Sequence, residues 1–355
     1  MHKLTTVLTA VILSFITLSG TSFADAEYVL SLNLPIPPIH NRWKEAIKPW
    51  CDELTSRSGG RIVIEPYFAE AISNQAESLD SVRNGLADLT ESAFGYERFP
   101  FYDRVFAVCS PSLSLDKPND ILHGMEKSFP QIRKELSGVH MLFTHALPVG
   151  MLLATKDPVT KLEDIKGKKI AVIGGLAQAN RLKALGASVV NIPVIDIYMA
   201  LQQGIIDGSM ADFQLLTSRR FGDLLKHVTL LPMNSSVFYS CINQDVYDSM
   251  PDDLKKIIDE LSGEYAEKYF AEFWDQDQYS SLEAWQKEMG GTLHMFSDED
   301  YAKAEELLRP LEEDWVNILN EAGYPGSDML KAYKELEQKY ASPWKNSRAA
   351  SYLAK

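Results

Sequence analysis

Apolar and polar positions are most legibly patterned over residues 164–213. Residues 168–173 (KKIAVI) form a short apolar run closed by Gly174-Gly175, and residues 176–185 have helical spacing up to a stop at Gly186. Residues 188–194 are a second β-branched run, and Asp196 stands as an N-cap before a helix carrying Tyr198, Leu201 and Gln202. That helix ends at Gly204, and residues 205–210 form a third short run. The order strand, helix, strand, helix, strand predicts a mostly parallel sheet.

The N-terminal part repeats this order. Residues 28–34 (YVLSLNL) alternate as a strand, and a proline-rich turn follows over 35–41. Trp43, Ile47, Trp50, Cys51 and Leu54 then recur at helical spacing until Ser58-Gly59-Gly60. Residues 61–65 (RIVIE) are the next strand, 75–84 a helix ended by Gly85, and 86–93 a strand-like run. Residues 81–94 (SVRNGLADLTESAF) match 200–213 (ALQQGIIDGSMADF) offset for offset, pairing Gly85 with Gly204, Asp88 with Asp207 and Phe94 with Phe213. Any helix-Gly-strand junction shares some of this grammar, so common ancestry stays open. Structurally the match predicts two similar α/β lobes with equivalent loops.

Between the lobes, residues 96–106 are aromatic-rich, 121–136 read as a helix, and 140–144 and 151–154 as apolar runs crossing to the second lobe. Residues 228–231 and 237–242 (VFYSCI) follow, the latter a strand returning to the first lobe. Amphipathic helices are expected at 254–273, 280–289, 298–322 and 329–340, packing across both lobes. The organisation read from this is a signal peptide at 1–24, lobe 1 at 27–149 plus about 237–275, lobe 2 at 150–236 plus part of the C-terminal region, and a helical hinge and tail at 254–355. The fold class is α/β, two lobes with a cleft between them and a long helical C-terminal segment packing across both.

The remaining chemistry narrows the function. Lys3, an apolar stretch over 7–18 and the small-residue exit to Ala24 make a secretory signal, cleaved after Ala24 or Ala26. Its apolar core is shorter than the roughly 20 residues of a spanning helix, so the expected location is the periplasm. Three cysteines, Cys51, Cys109 and Cys241, permit at most one disulfide and lack metal spacing. A net charge of −14 argues against nucleic acid and anionic lipid. Nucleophile elbow, P-loop, H-E-x-x-H and C-x-x-C are all absent from the sequence, and its seven histidines are scattered. No enzyme activity, cofactor or metal is therefore expected. What remains is a cleft at the ends of parallel strands, where small ligands bind.

Several motifs together resemble a known family. D-I-K-G-K-K-I-x-V from Asp164, Leu185-Gly186-Ala187, and the run from Ile195 through Tyr198, Ala200-Leu201-Gln202 and Gly204 to Asp207-Gly208 are similar to those of DctP-type periplasmic solute-binding proteins of TRAP transporters. His40, the Gly60-Arg61 run, Val82-x-x-Gly85-x-x-Asp88, Tyr96, Ile242-Asn243 and Met250-Pro251 agree in order. The resemblance implies two hinged lobes closing on a solute and delivery to TRAP permease subunits in the membrane. It also implies a carboxylate clamp, an Arg directly after the G-x-K-I run helped by an Asn after the Asp-Gly pair.

This sequence departs from that clamp. The four aligned positions are Ala171, Gly174, Val194 and Ala211, all small or apolar. Alanine supplies none of the bidentate grip of a guanidinium. Either another cation holds the acid, with Arg181 as a rescue candidate that ordinary burial habits place at the surface, or the ligand lacks a carboxylate there. The favoured expectation is a bulky apolar or aromatic solute, with an amine as an optional feature. The alternatives are an organic acid held by a relocated cation, an exported ligand sensor on the same fold, and, outside the fold's usual role, an exported hydrolase. Candidate contacts are His40, Phe94, Tyr96, Phe99, Met210, Phe213, Asn234 and Tyr239, beside the four clamp positions. Glu91 and Asp212 join them as the polar candidates, read singly as solvated loop carboxylates. A monomer and a dimer both stay open.

Overall fold

The computed structural model describes residues 26–96 and 98–353. The expected signal peptide lies outside them, and no described helix is long and apolar enough to cross a membrane. In chain order the strands are β1 (Tyr28–Asn33), β2 (Ile62–Tyr67), β3 (Leu89–Ala93), β4 (Leu113–Ser114), β5 (Val139–Ala146), β6 (Met151–Thr155) and β7 (Lys169–Ala171). They continue with β8 (Ser188–Val190), β9 (Gly208–Ala211), β10 (His227–Asn234), β11 (Val237–Asn243), β12 (Thr292–His294) and β13 (Ser342–Pro343). The helices are α1 (Lys48–Arg57), α2 (Ser78–Arg83), α3 (Pro118–Ser128), α4 (Leu176–Ala184), α5 (Ile197–Gln202) and α6 (Phe213–Ser218). After these come α7 (Gln244–Ser249), α8 (Asp252–Leu261), α9 (Glu264–Met289), α10 (Asp298–Glu321) and α11 (Gly326–Tyr340).

Two sheets organise the chain, one in the order β2-β1-β3-β11-β5 and one in the order β12-β10-β6-β9-β7-β8. In the first, β1 is parallel to β2 and β3, while β11 runs antiparallel to β3 and β5. In the second, β7 is parallel to β8 and β9, while β6 runs antiparallel to β9 and β10. Each parallel trio is a β-α-β-α-β unit with short crossovers, as the patterning predicts. The sheets are mixed because the chain passes between them, from β5 to β6, from β10 to β11 and, through α7 to α9, from β11 to β12.

The two trios share a local device. Gly85 and Gly204 end their helices in the left-handed region, at φ 73° and 72°. Three residues later an aspartate reaches back to the neighbouring strand: Asp88 accepts the backbone N–H of Ser31 at 2.8 Å, and Asp207 that of Lys169 at 2.8 Å. Asp207 thus pairs the first N–H of β7, and Asp88 an N–H in the middle of β1.

The crossing segments touch. Leu147 donates its N–H to the Ser236 carbonyl at 2.9 Å, and Ser235 its hydroxyl to the Leu147 carbonyl at 2.6 Å. Val149 and Gly150 both have positive φ, 67° and 81°, and a Cβ on Gly150 would lie 2.4 Å from the Asn234 carbonyl oxygen. Gly150→Ala is therefore expected to cost about 2 kcal/mol or more. Gly204→Ala, with nothing within 4 Å of its Cβ, should lose only about 1 kcal/mol. Denaturant melts of the two variants check this; equal losses would mean that the crossing imposes no close approach.

The C-terminal helices join both lobes. Phe270 of α9 packs on Phe143 of β5 with ring centres 4.9 Å apart, and further along Trp285 donates to the Leu225 carbonyl at 3.0 Å. In α10, the Tyr301 hydroxyl donates to the Leu230 carbonyl and Trp315 to the Pro100 carbonyl. Three details differ from the patterning. The helix expected over 254–273 is broken at Ser262-Gly263, where Gly263 has φ 52°, and α9 then absorbs the one expected over 280–289. The helix expected over 121–136 stops at Ser128, and Pro130–Leu136 continues as a tighter turn. Asp196 precedes α5 but makes no side-chain cap. All three cysteines are buried free thiols.

Candidate functional site: the cleft between the lobes

A cavity of about 480 Å³ opens at the C-terminal ends of the two parallel trios. Lobe 1 contributes His40, Arg42 and the residues that follow β3, from Ala93 to Tyr96. Lobe 2 contributes Val172, Ile173 and Gly174 after β7, residues 191–195 after β8, and Asp212, Gln214, Leu215 and Arg219 around α6. Met151, Asn234, Ser236 and Phe238 line it from the crossing segments, and Trp274 from α9. Both sheets thus aim their loops at one space, which is where ligands bind in open α/β sheets.

Of the sequence-derived candidates, His40, Phe94, Tyr96, Gly174, Val194, Asp212 and Asn234 line this cavity. The others stand behind it. Ala171, Met210, Ala211 and Phe213 are buried in the second lobe, and the Phe213 N–H donates to Gln278 at 3.0 Å. Phe99 packs edge-on against Phe94 at 5.5 Å and Tyr239 lies against it at 4.5 Å, so both support a wall they do not form.

Three expectations about charged groups are overturned. Glu91 is not a solvated loop carboxylate: it lies within β3, 1% exposed, with Oε2 3.3 Å from Nε of Arg42 and Oε1 3.2 Å from Nε2 of His145. Asp212 is buried as well, its Oδ1 accepting the Leu215 N–H at 2.7 Å to cap α6. Burial pushes its carboxyl up to about 7, with Asp277 adding to the rise and Arg42 opposing it. Arg181 is neither a surface residue nor part of the cavity lining. It is 1% exposed and ties α4 to β10 and the aromatic segment, donating to the carbonyls of Pro232 and Ala107 at 3.0 Å each.

Sequence reasoning missed Arg42, which sits two residues after His40 in a π-helical turn, Arg42–Ile47, that precedes α1. Its side chain is buried, with the guanidinium 4.5 Å from the ring centre of Phe238 and 5.8 Å from that of Trp274. Glu91 stands at its Nε, and Arg42 is among the residues that line the cavity. His40 accepts the Arg42 N–H at Nδ1, and Gln214 lies 3.3 Å from its Nε2. Burial, reinforced by Arg42 and Arg219, holds His40 down to about 3, so its ring is neutral at physiological pH. Phe94, Tyr96, Phe238 and Trp274 supply an aromatic wall. Among the described residues no cluster of three or more His, Cys, Asp or Glu is arranged to hold a metal.

Two crossing α/β lobes around an aromatic cleft with buried charge define a solute-binding protein. The chain belongs to the DctP family, family 7 of the bacterial extracellular solute-binding proteins, whose profile matches residues 36–317. This agrees with the resemblance carried by the motifs. Among solved structures it is similar to a marine metagenome TRAP solute-binding protein specific for aromatic acids, at 25% identity and TM-score 0.79, covering 88% of this chain and 99% of that one. That protein is solved with metahydroxyphenylacetate and with 3-hydroxybenzoate. Among curated relatives, TsaT of Comamonas testosteroni, an outer membrane transporter protein, is 22% identical over 86% of this chain and 90% of its own length. A solute-binding protein of Verminephrobacter eiseniae is 25% identical over 58% of this chain and 62% of its own.

Proposed function

We propose that this protein captures an aromatic monoacid in the periplasm and delivers it to the membrane subunits of a TRAP-type permease. The observation that carries this reading is the guanidinium of Arg42, buried against Phe238 beside Glu91, on a residue that lines the cavity. The preference for a non-acidic ligand rested on Ala171 and Ala211. Arg42 supplies a cation from the other lobe, so the relocated-cation alternative becomes the better supported one. The carboxylates nearby do not compete as amine binders: Glu91 is engaged by Arg42 and His145, and Asp212 by its helix cap and its raised pKa. Aromatic side chains on the wall suit a flat ring, with stacking adding to apolar burial. The aromatic acids bound by a structural relative agree with this.

Thermal shift with benzoate, 3-hydroxybenzoate, succinate and phenethylamine tests the class. The two aromatic acids are expected to raise the melting temperature and the others to leave it unchanged; stabilisation by succinate or the amine alone would overturn the reading.

An anion arriving at Arg42 also raises the Asp212 carboxyl further, because negative charge nearby favours the neutral acid. Binding should therefore take up a fraction of a proton near pH 7.5 and strengthen as pH falls from 8 to 6. Titration calorimetry in buffers of different ionisation enthalpy reads this uptake, which should vanish in Asp212→Asn.

A further inference from the structure

Behind Arg42 runs a line of buried polar groups that simple charge attraction does not require. Trp274 on α9 donates its Nε1–H to Nδ1 of His145 on β5 at 2.9 Å. An imidazole that accepts at Nδ1 carries its proton on Nε2. That nitrogen lies 3.2 Å from Oε1 of Glu91, whose other oxygen lies 3.3 Å from Nε of Arg42, both contacts at ion-pair distance and neither aligned as a hydrogen bond. All four residues are at most 5% exposed, and they come from four separate elements. Aromatic faces fix the line laterally, since His145 stacks on Phe238 at 5.0 Å and on Phe270 at 4.5 Å. Burial also holds the imidazole below its ordinary pKa, against the pull of Glu91.

We propose that His145 is a positioning residue: through Glu91 it fixes the guanidinium of Arg42 so that a rigid Nη edge meets the ligand, which makes the site selective for planar aromatic carboxylates over tetrahedral aromatic sulfonates. This rests on the acid-binding reading above. A carboxylate matches the two-donor edge of a guanidinium oxygen for nitrogen. A sulfonate spreads its charge over three oxygens out of one plane, and a fork that cannot rotate meets it less well. An Arg free to turn would accept both. Trp274 sets the tautomer that lets His145 act, and the ring stack denies His145 any other orientation.

The test compares benzoate with benzenesulfonate by titration calorimetry on the full protein. Wild type is expected to prefer benzoate by roughly ten-fold, the worth of one well-made charge-assisted hydrogen bond. His145→Phe keeps the ring and removes the donor, and should bring the preference to within about two-fold. His145→Gln, whose amide N–H reaches the place of Nε2, should restore it. Equal loss for both ligands, or a preference unchanged in His145→Phe, would overturn the positioning role. Wild type binding neither acid would instead overturn the acid-binding reading. If His145→Phe does not fold, His145→Asn, whose amide reaches the place of Nδ1 and not that of Nε2, is read for the same narrowing. The nitrogen-15 spectrum of wild type supplies a signature independent of ligand: Nε2 protonated and Nδ1 bare at pH 7, with the reverse tautomer or a doubly protonated ring contradicting the line.

Discussion

Removing the Arg42 guanidinium is expected to weaken binding of an aromatic monoacid at least 100-fold. Each charge-assisted hydrogen bond to a carboxylate contributes about 1.5–3 kcal/mol, and the Nη edge offers two in a site dry enough to make them count. The single variant Arg42→Gln has a second consequence. It leaves Glu91 buried without its cation, and an uncompensated buried charge costs about 3–5 kcal/mol. Arg42→Gln/Glu91→Gln removes both charges together, so it should fold nearly as well as wild type and still fail to bind. Calorimetry of the double variant, with a thermal melt to establish folding, separates loss of ligand contact from loss of structure. Retained affinity in a folded double variant would place the anion elsewhere in the cleft, with Arg219 the remaining cation on its lining.

Asp212→Asn is expected to stabilise the free protein, and by more as pH rises. The folded-state carboxyl, at about 7, lies above the ordinary value near 3.9. Between those two values the folded state binds more protons than the unfolded chain, so stability falls as pH rises through 7. Asparagine caps a helix about as well as aspartate and has no charge to bury. The two proteins should therefore melt together near pH 4 and diverge by about 2–4 kcal/mol at pH 8. Denaturant melts across that range check it. Parallel curves would mean that the Asp212 carboxyl ionises normally.

The same two residues mark what the sequence could and could not convey. Local features were legible because they depend on neighbours in the chain. The apolar run before Gly174 and the β-branched run at 188–194 mark β7 and β8, Gly186 and Gly204 mark the helix stops, and the matched Gly85/Gly204 and Asp88/Asp207 offsets are equivalent structural devices. The break at Ser262-Gly263 is hidden from the pattern because apolar spacing continues through it, while an extended Ser262 and the positive φ of Gly263 separate α8 from α9.

The polar floor of the cleft was legible only in Glu91, and there as a solvated loop carboxylate. Glu91, His145 and Trp274 lie far apart in the chain and meet only when β3, β5 and α9 assemble. His145 and Trp274 alone read as ordinary strand and helix residues. Arg42 stands at the head of an amphipathic helix, where periodicity assigns a charged residue to the solvated face. One clue is present: with the clamp position occupied by Ala171, an acid-binding member of this family needs another cation, and Arg181 is the arginine nearest that position in the sequence. Arg181 instead donates Nε to the Pro232 carbonyl and one Nη to that of Ala107, away from the cavity lining.

The claim that Arg42 replaces the missing clamp is tested most directly by a crystal structure of the protein grown with 3-hydroxybenzoate. The expected result is a ligand in the cleft with both carboxylate oxygens within about 3 Å of the Arg42 Nη atoms and its ring against the aromatic wall. A ligand whose carboxylate lies away from Arg42, or a cleft without ligand at saturating concentration, would contradict it.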